Sequence, residues 1–143
     1  MCKFCRRSGI AQLLKKLGVE EILELNCEPT GRFAHNPEPL PAHLTEISDL
    51  IKQKKVDVGF VVDPDVDRLA IICEDGSMFG EEYTLVAVAD YILSKTPGNT
   101  VSNLSSTRAL RDVTQKYGGE YNAAAVGEVN VVTKMKDTQA VIG

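Results

Sequence analysis

The chain has 143 residues and a formal net charge of −4, with 43% hydrophobic and 25% charged residues. This composition is typical of a globular protein with one ordinary domain or two small ones. No basic cluster is present and no apolar run could cross a bilayer, so neither nucleic acid nor a membrane is expected as a partner. The N-terminus lacks the apolar core of a secretory signal, and we expect a cytoplasmic protein.

Helix, strand and loop signals alternate along the first half of the chain. Apolar residues at helical spacing run to Leu17 and are followed by Gly18, which predicts a first helix. A strand is predicted over Val19–Leu25, and the proline-rich segment 33–41 is expected to be an extended loop. A second amphipathic helix is predicted from Leu44, with lysines closing its last turn.

Two apolar runs rich in valine and isoleucine flank a short acidic loop. Val56–Val62 and Leu69–Cys73 are predicted as strands, and Glu74–Ser77 as a turn. The order helix, strand, loop, helix, strand, strand is typical of an α/β sandwich with a mixed sheet.

A second α/β unit is predicted after Ser77, with domains expected at 1–77 and 78–143. Its predicted elements are a helix from Glu81, strands Thr100–Leu104 and Glu120–Ala125, a helix capped by Ser105, Ser106 or Thr107 and running to Tyr117, a short helix Glu128–Met135, and a strand Ala140–Ile142. The first of these helices is expected to bury Leu85, Val88, Ala89, Ile92 and Leu93. We therefore predict two small three-layer α/β/α domains in series with mixed sheets, the second one truncated.

The acidic loop is the feature that points to chemistry. Asp63, Asp65 and Asp67 alternate along it, and Arg68 follows directly. Three carboxylates this close repel one another unless a cation lies between them. Carboxylate oxygens are hard ligands, so the loop predicts a Mg²⁺ site.

Alternating aspartates of this kind occur in several types of site. A calcium loop needs glycine where Arg68 stands, and its flanks would be helical, so it is excluded. A haloacid-dehalogenase-like phosphohydrolase, with Asp63 as the nucleophile, remains an alternative because its nucleophile follows an apolar strand in the same D-x-D pattern. A non-enzymatic metal-binding α/β module is the other alternative.

The loop Asp63-Pro64-Asp65-Val66-Asp67-Arg68 closely resembles the D-P-D-x-D-R magnesium loop of the alpha-D-phosphohexomutase (phosphoglucomutase/phosphomannomutase) superfamily. Other stretches that resemble this superfamily are Leu25–Pro29, Phe33 with His35–Pro39, Gly80–Tyr83 and Val126–Glu128. The resemblance runs from about Ile10 to Gly143, and within the superfamily the chain looks most like the branch of phosphoglucosamine mutases and phosphomannomutases.

The resemblance implies roles for six residues. Asp63, Asp65 and Asp67 would hold Mg²⁺, and Arg68 would bind a phosphate oxygen, with pairing to nearby carboxylates as its alternative. Gly127 and Glu128 would approach the sugar, with a turn glycine and a first-turn helix acid as their alternatives.

Ser105 stands where some members of the superfamily carry a lysine that reaches the substrate, and here we expect Ser105, Ser106 or Thr107 to cap a helix instead. The resemblance places the phosphoserine that donates the phosphoryl group on a first domain, so no catalytic residue is assigned in this chain. We expect the chain to represent domain II and most of domain III, with domains I and IV of the same protein and a sugar phosphate as partners. On its own it is expected to have no mutase activity.

Overall fold

The computed structural model describes residues 9–27, 32, 36, 38–63 and 68–143. Within them the chain forms five α-helices, one short 3-10 helix and four strands, confirming the α/β class. The elements fall into two compact units, Met1–Glu81 and Glu82–Gly143. None of the described helices is long and apolar enough to cross a membrane.

The first unit is built around one hairpin and one helix. Its elements are α1 (Gly9–Lys16), a 3-10 turn (Pro41–His43), α2 (Thr45–Lys54), β1 (Val58–Val62) and β2 (Leu69–Cys73). The predicted helices are confirmed, and β2 has the predicted bounds. The strands pair antiparallel from Val58↔Cys73 to Val62↔Leu69, so the acidic loop connects two neighbouring strands of a hairpin.

One face of this hairpin packs against α2. The buried cluster consists of Leu44, Ile47, Ile51, Val61, Ala70 and Ile72. Gly59 lies within the same face, where an added Cβ would lie 2.7 Å from Ile51 Cδ1. Glycine at this position therefore permits the close approach of α2 to the sheet that bears the acidic loop.

The strand predicted over Val19–Leu25 is wrong, because this segment has no regular secondary structure. The N–H of Val19 donates to Leu14 O at 3.0 Å and so serves the end of α1. Leu23 is 44% exposed, while Leu25 packs against the hairpin core. An apolar segment forms a strand only where a neighbouring strand supplies hydrogen-bond partners for its backbone. Among the described residues β1 pairs with β2 alone, so Val19–Leu25 has no such neighbour.

The second unit pairs its strands in parallel. Its elements are α3 (Glu81–Lys95), β3 (Thr100–Asn103), α4 (Ala109–Lys116), β4 (Tyr121–Ala124) and α5 (Glu128–Thr138). The register runs from Thr100↔Tyr121 to Asn103↔Ala124, which brings the carboxyl ends of both strands to one edge. The buried cluster is Ala89, Leu93 and Leu110, with Leu85, Val86, Val113, Tyr117, Tyr121 and Ile142 packed against it.

Three predictions for this unit need correction. Val88 is 47% exposed and does not belong to the buried face of α3. Helix α5 continues to Thr138, beyond the predicted end at Met135. The predicted strand Ala140–Ile142 is reduced to one parallel bridge between Ile142 and Thr100, because the N–H of Ala140 donates to Met135 O and closes α5 instead.

Candidate functional site

Asp63 stands at the end of β1, where the acidic loop begins. It is 5% exposed and is the one buried carboxylate in the part of the chain that the structure describes. Its Oδ1 accepts the backbone N–H of Arg68 at 3.0 Å, and its own N–H donates to Arg68 O at 3.4 Å. These contacts close the base of the loop and fix the Asp63 carboxylate. Asp65 and Asp67 lie outside the described residues.

The Arg68 side chain lies between two carboxylates. Its Nη1 donates to Glu38 Oε1 at 3.1 Å, and its Nε lies 3.8 Å from Asp63 Oδ2. The Arg68 and Glu38 side chains are 59% and 50% exposed, whereas the Asp63 side chain is 7% exposed. Arg68 is thus a partner of nearby carboxylates, one of the two roles predicted for it, while phosphate binding stays a prediction.

Glu38 was not identified from the sequence as a site residue. It is 30 positions from Arg68, and no periodic pattern links the two. A weak signal exists in hindsight, since Glu38 is an acid between two prolines and its backbone is therefore restricted.

A cavity of about 440 Å³ adjoins this ion pair within the first unit. Three charged side chains line it: Glu38, Arg68 and Glu81. Its apolar walls come from the proline-rich segment and from β2, through Leu40 and Leu69 among others. The cavity therefore combines a cation, two carboxylates and an apolar wall beside the acidic loop.

The donor chemistry of the loop fits Mg²⁺. The described residues by themselves contain no group of three His, Cys, Asp or Glu side chains that could hold a metal. The fit rests on Asp63, a buried carboxylate whose orientation is fixed by the Arg68 N–H, together with the two further aspartates that follow it. Oxygen donors of this kind suit a hard divalent cation.

In the second unit the predicted sugar-contacting residues follow β4. Gly127 has φ = 121° and precedes α5, so a residue with a side chain would be strained there. Its carbonyl accepts the N–H groups of Asn130 and Val131, at 3.0 and 3.3 Å. Glu128 is an exposed acid in the first turn of α5. The structural alternatives for both residues are thus observed, and their contact with sugar stays a prediction.

The loop after β3 lies at the same edge of the sheet. Asn103 Oδ1 accepts the Ser105 N–H at 2.9 Å, the Ser105 hydroxyl at 2.8 Å and the Ser106 hydroxyl at 3.2 Å. Ser105 and Ser106 therefore do not cap α4, which leaves Thr107 of the three residues predicted for that role. Thr107 does contact the helix start, since its Oγ1 accepts the Ala109 N–H at 3.3 Å.

Comparison with protein families assigns the whole described fold. The model for phosphoglucomutase/phosphomannomutase alpha/beta/alpha domain II matches residues 6–76, and that for domain III matches residues 80–143. The chain belongs to the phosphoglucomutase/phosphomannomutase family. The resemblance recognised in the sequence is thereby confirmed.

Individual relatives agree with this family. A probable phosphoglucosamine mutase of Methanopyrus kandleri is 30% identical over 133 residues, and a phosphoglucomutase of Neisseria gonorrhoeae is 31% identical over 134 residues. A crystal structure of a phosphoglucomutase/phosphomannomutase family protein from Burkholderia thailandensis is 32% identical with a TM-score of 0.73, covering 93% of this chain and 30% of that chain. Both curated relatives match 92% of this chain, which spans 29% of their length.

The phosphoglucomutase/phosphomannomutase matches divide the predicted site residues between two domains. Asp63–Arg68 fall within the domain II match, and Gly127 and Glu128 fall within the domain III match.

Proposed function

We propose that this chain contributes the Mg²⁺ loop and part of the sugar-binding surface to a phosphohexomutase. The observation that carries the proposal is the position of Asp63: a fixed, buried carboxylate at the first position of an alternating aspartate loop, in a chain of this family. The domain boundary is proposed at 77/78, which is supported by the gap between the matched segments 6–76 and 80–143.

The proposed reaction moves a phosphoryl group between the 1- and 6-positions of a hexose or hexosamine phosphate. A phosphoserine of the whole protein would donate its phosphoryl group to a sugar monophosphate, giving a bisphosphorylated sugar. That sugar would turn over in the cleft and return the other phosphoryl group to the serine. The phosphoserine is expected on domain I, and domain IV is the other expected partner of this chain.

The residues of this chain would position and neutralise the moving group. Asp63, Asp65 and Asp67 would hold Mg²⁺, which when bound offsets negative charge on the phosphoryl oxygens. Arg68 follows the last aspartate and would donate to a phosphate oxygen, since its guanidinium is half exposed beside the 440 Å³ cavity.

Sugar contacts are proposed for the second unit. The carboxyl ends of parallel strands are where ligands bind in α/β sheets, and Gly127 and Glu128 lie at that edge. The exposed Glu128 carboxylate would accept hydrogen bonds from sugar hydroxyls. The neutral Ser105 cannot supply the positive charge that some members of the family place there.

The test measures interconversion of the 1- and 6-phosphates of glucose, mannose and glucosamine. The protein from the complete reading frame that contains this chain is expected to interconvert at least one pair, with Asp65→Ala abolishing the activity. The 143-residue chain alone is expected to have no mutase activity and no hydrolysis of p-nitrophenyl phosphate. Mutase turnover by the isolated chain contradicts the proposal, and phosphatase activity lost on Asp63→Asn would support the phosphohydrolase alternative instead.

A further inference from the structure

The Arg68 guanidinium lies closer to the Glu38 carboxylate than to the Asp63 carboxylate. Its Nη1 lies 3.1 Å from Glu38 Oε1, a hydrogen-bonded ion pair across 30 residues. Its Nε lies 3.8 Å from Asp63 Oδ2, which is beyond hydrogen-bonding distance. The backbone N–H of Arg68 donates to Asp63 Oδ1 at the same time. The Arg68 side chain therefore extends toward Glu38 although its backbone lies beside Asp63.

Glu38 is held in place for this contact by its own backbone. Its N–H donates to Asn36 Oδ1 at 3.0 Å, and its carbonyl oxygen accepts the Leu40 N–H at 2.8 Å. His43 Nδ1 lies 3.0 Å from the same carbonyl oxygen. Pro39 further restricts the segment. The Glu38 carboxylate is therefore presented from a constrained loop, which lowers the entropic cost of holding the arginine.

We infer that Glu38 is a positioning residue of the aspartate loop: it draws the Arg68 guanidinium away from Asp63 and so keeps the Asp63 carboxylate available to a divalent cation. This inference rests on the proposed function of the loop as a Mg²⁺ site. A guanidinium and Mg²⁺ compete for the same carboxylate, since each is a cation that prefers anionic oxygen.

Two effects act in the same direction when Glu38 loses its charge. Without the Glu38 carboxylate the Arg68 guanidinium loses its partner at 3.1 Å, and it would move from 3.8 Å into a hydrogen-bonded pair with Asp63. One negative charge beside Arg68 would also be lost. Both effects weaken binding of a divalent cation at Asp63. Both side chains are at least half exposed, so solvent screening keeps the effect modest.

The experiment is a double-mutant cycle read out as the Mg²⁺ dissociation constant of the 143-residue chain, by calorimetry at low ionic strength. We expect Glu38→Gln to raise this constant about threefold to fivefold, the range that an exposed ion pair allows. Arg68→Gln should lower the constant, and Glu38→Gln in the Arg68→Gln background should have little effect. Glu46→Gln, which removes one exposed carboxylate from the same unit, is the matched control and should leave the constant unchanged.

The outcomes separate this inference from the proposed function. Mg²⁺ binding that depends on Asp65 but is equal in Glu38→Gln and Glu46→Gln overturns the inference alone. An equally large rise of the dissociation constant on Glu38→Gln in the Arg68→Gln background also overturns the inference, because Glu38 would then act directly and not through the arginine. Mg²⁺ binding that Asp65→Ala leaves unaltered, or no Mg²⁺ binding by the parent chain, contradicts the proposed metal loop and the inference with it.

Discussion

The buried hydroxyl pair in the second unit gives the sharpest stability prediction. Thr100 Oγ1 and Thr114 Oγ1 are 2.6 Å apart, and the Thr114 hydroxyl also donates to Leu110 O at 2.7 Å. Because the Thr114 hydroxyl donates its proton to Leu110 O, the Thr100 hydroxyl is the donor in the bond between the two threonines. Both residues are fully buried, so Thr114→Val keeps the shape of the side chain while the Thr100 hydroxyl loses its partner in the core.

The magnitude follows from the cost of a buried polar group without a partner. That cost is about 1–3 kcal/mol, so the free energy of unfolding of the second unit should fall by this amount. In a unit of this size each kcal/mol lowers the melting temperature by about 4–8 °C. Thr100→Val combined with Thr114→Val removes both hydroxyls and should recover most of the loss, because no buried donor then remains unsatisfied.

Urea unfolding followed by circular dichroism measures the effect. Thr133→Val is the matched control, since the Thr133 hydroxyl donates to Val129 O at 2.8 Å on the exposed side of α5. It should change the stability by less than about 0.5 kcal/mol. A Thr114→Val loss of stability no larger than that of Thr133→Val, or a double variant less stable than Thr114→Val, would show that the Thr100 hydroxyl does not depend on Thr114.

Two further stability predictions concern a close backbone contact and an ion pair. An added Cβ at Gly119 would overlap the carbonyl oxygen of Gly98, so Gly119→Ala should cost about 1–3 kcal/mol in urea unfolding, while Gly9→Ala, which meets no neighbour, should not destabilise. The Lys116 ammonium donates to Asp90 at 2.8 Å, which lowers the pKa of Asp90 below 3.8 and raises the pKa of Lys116 above 10.5. The contribution of the pair to stability is therefore complete between pH 3.8 and 10.5, and is lost as the pH falls through the folded pKa of Asp90 or rises through that of Lys116. The difference in melting temperature between the parent and Asp90→Asn should be small at pH 7 and vanish in strong acid, and a difference that persists there contradicts this assignment.

The hairpin was predictable because its signals are local. The apolar run Leu69–Cys73 is bounded by the acidic loop on one side and a turn on the other, and β2 has those bounds. Helix α2 likewise follows from apolar spacing and closing lysines. The strand predicted over Val19–Leu25 was wrong because a strand needs a neighbouring strand to pair with, and local composition does not show whether one is present.

The candidate site was predictable only in part for the same reason. The aspartates and Arg68 are contiguous, so their pattern is visible in the sequence. Glu38 joins them through a contact between residues 30 positions apart, which only the folded chain brings together. The hydroxyls of Ser105 and Ser106 were assigned to helix α4, yet Asn103 at the end of β3 accepts both of them. Side chains of this kind have several backbone and side-chain partners within reach, and the tertiary arrangement decides between them.

A titration of the 143-residue chain with Mg²⁺ tests whether Asp63, Asp65 and Asp67 form a Mg²⁺ loop. We expect saturable but weak binding to a single site, because the oxygen expected from the phosphoserine is not supplied by this chain. Binding should be abolished by Asp65→Ala and preserved in Asp75→Asn, whose carboxylate lies in the turn after β2 and accepts the Ser77 N–H. Binding that is equally strong in the parent and in Asp65→Ala would contradict the account.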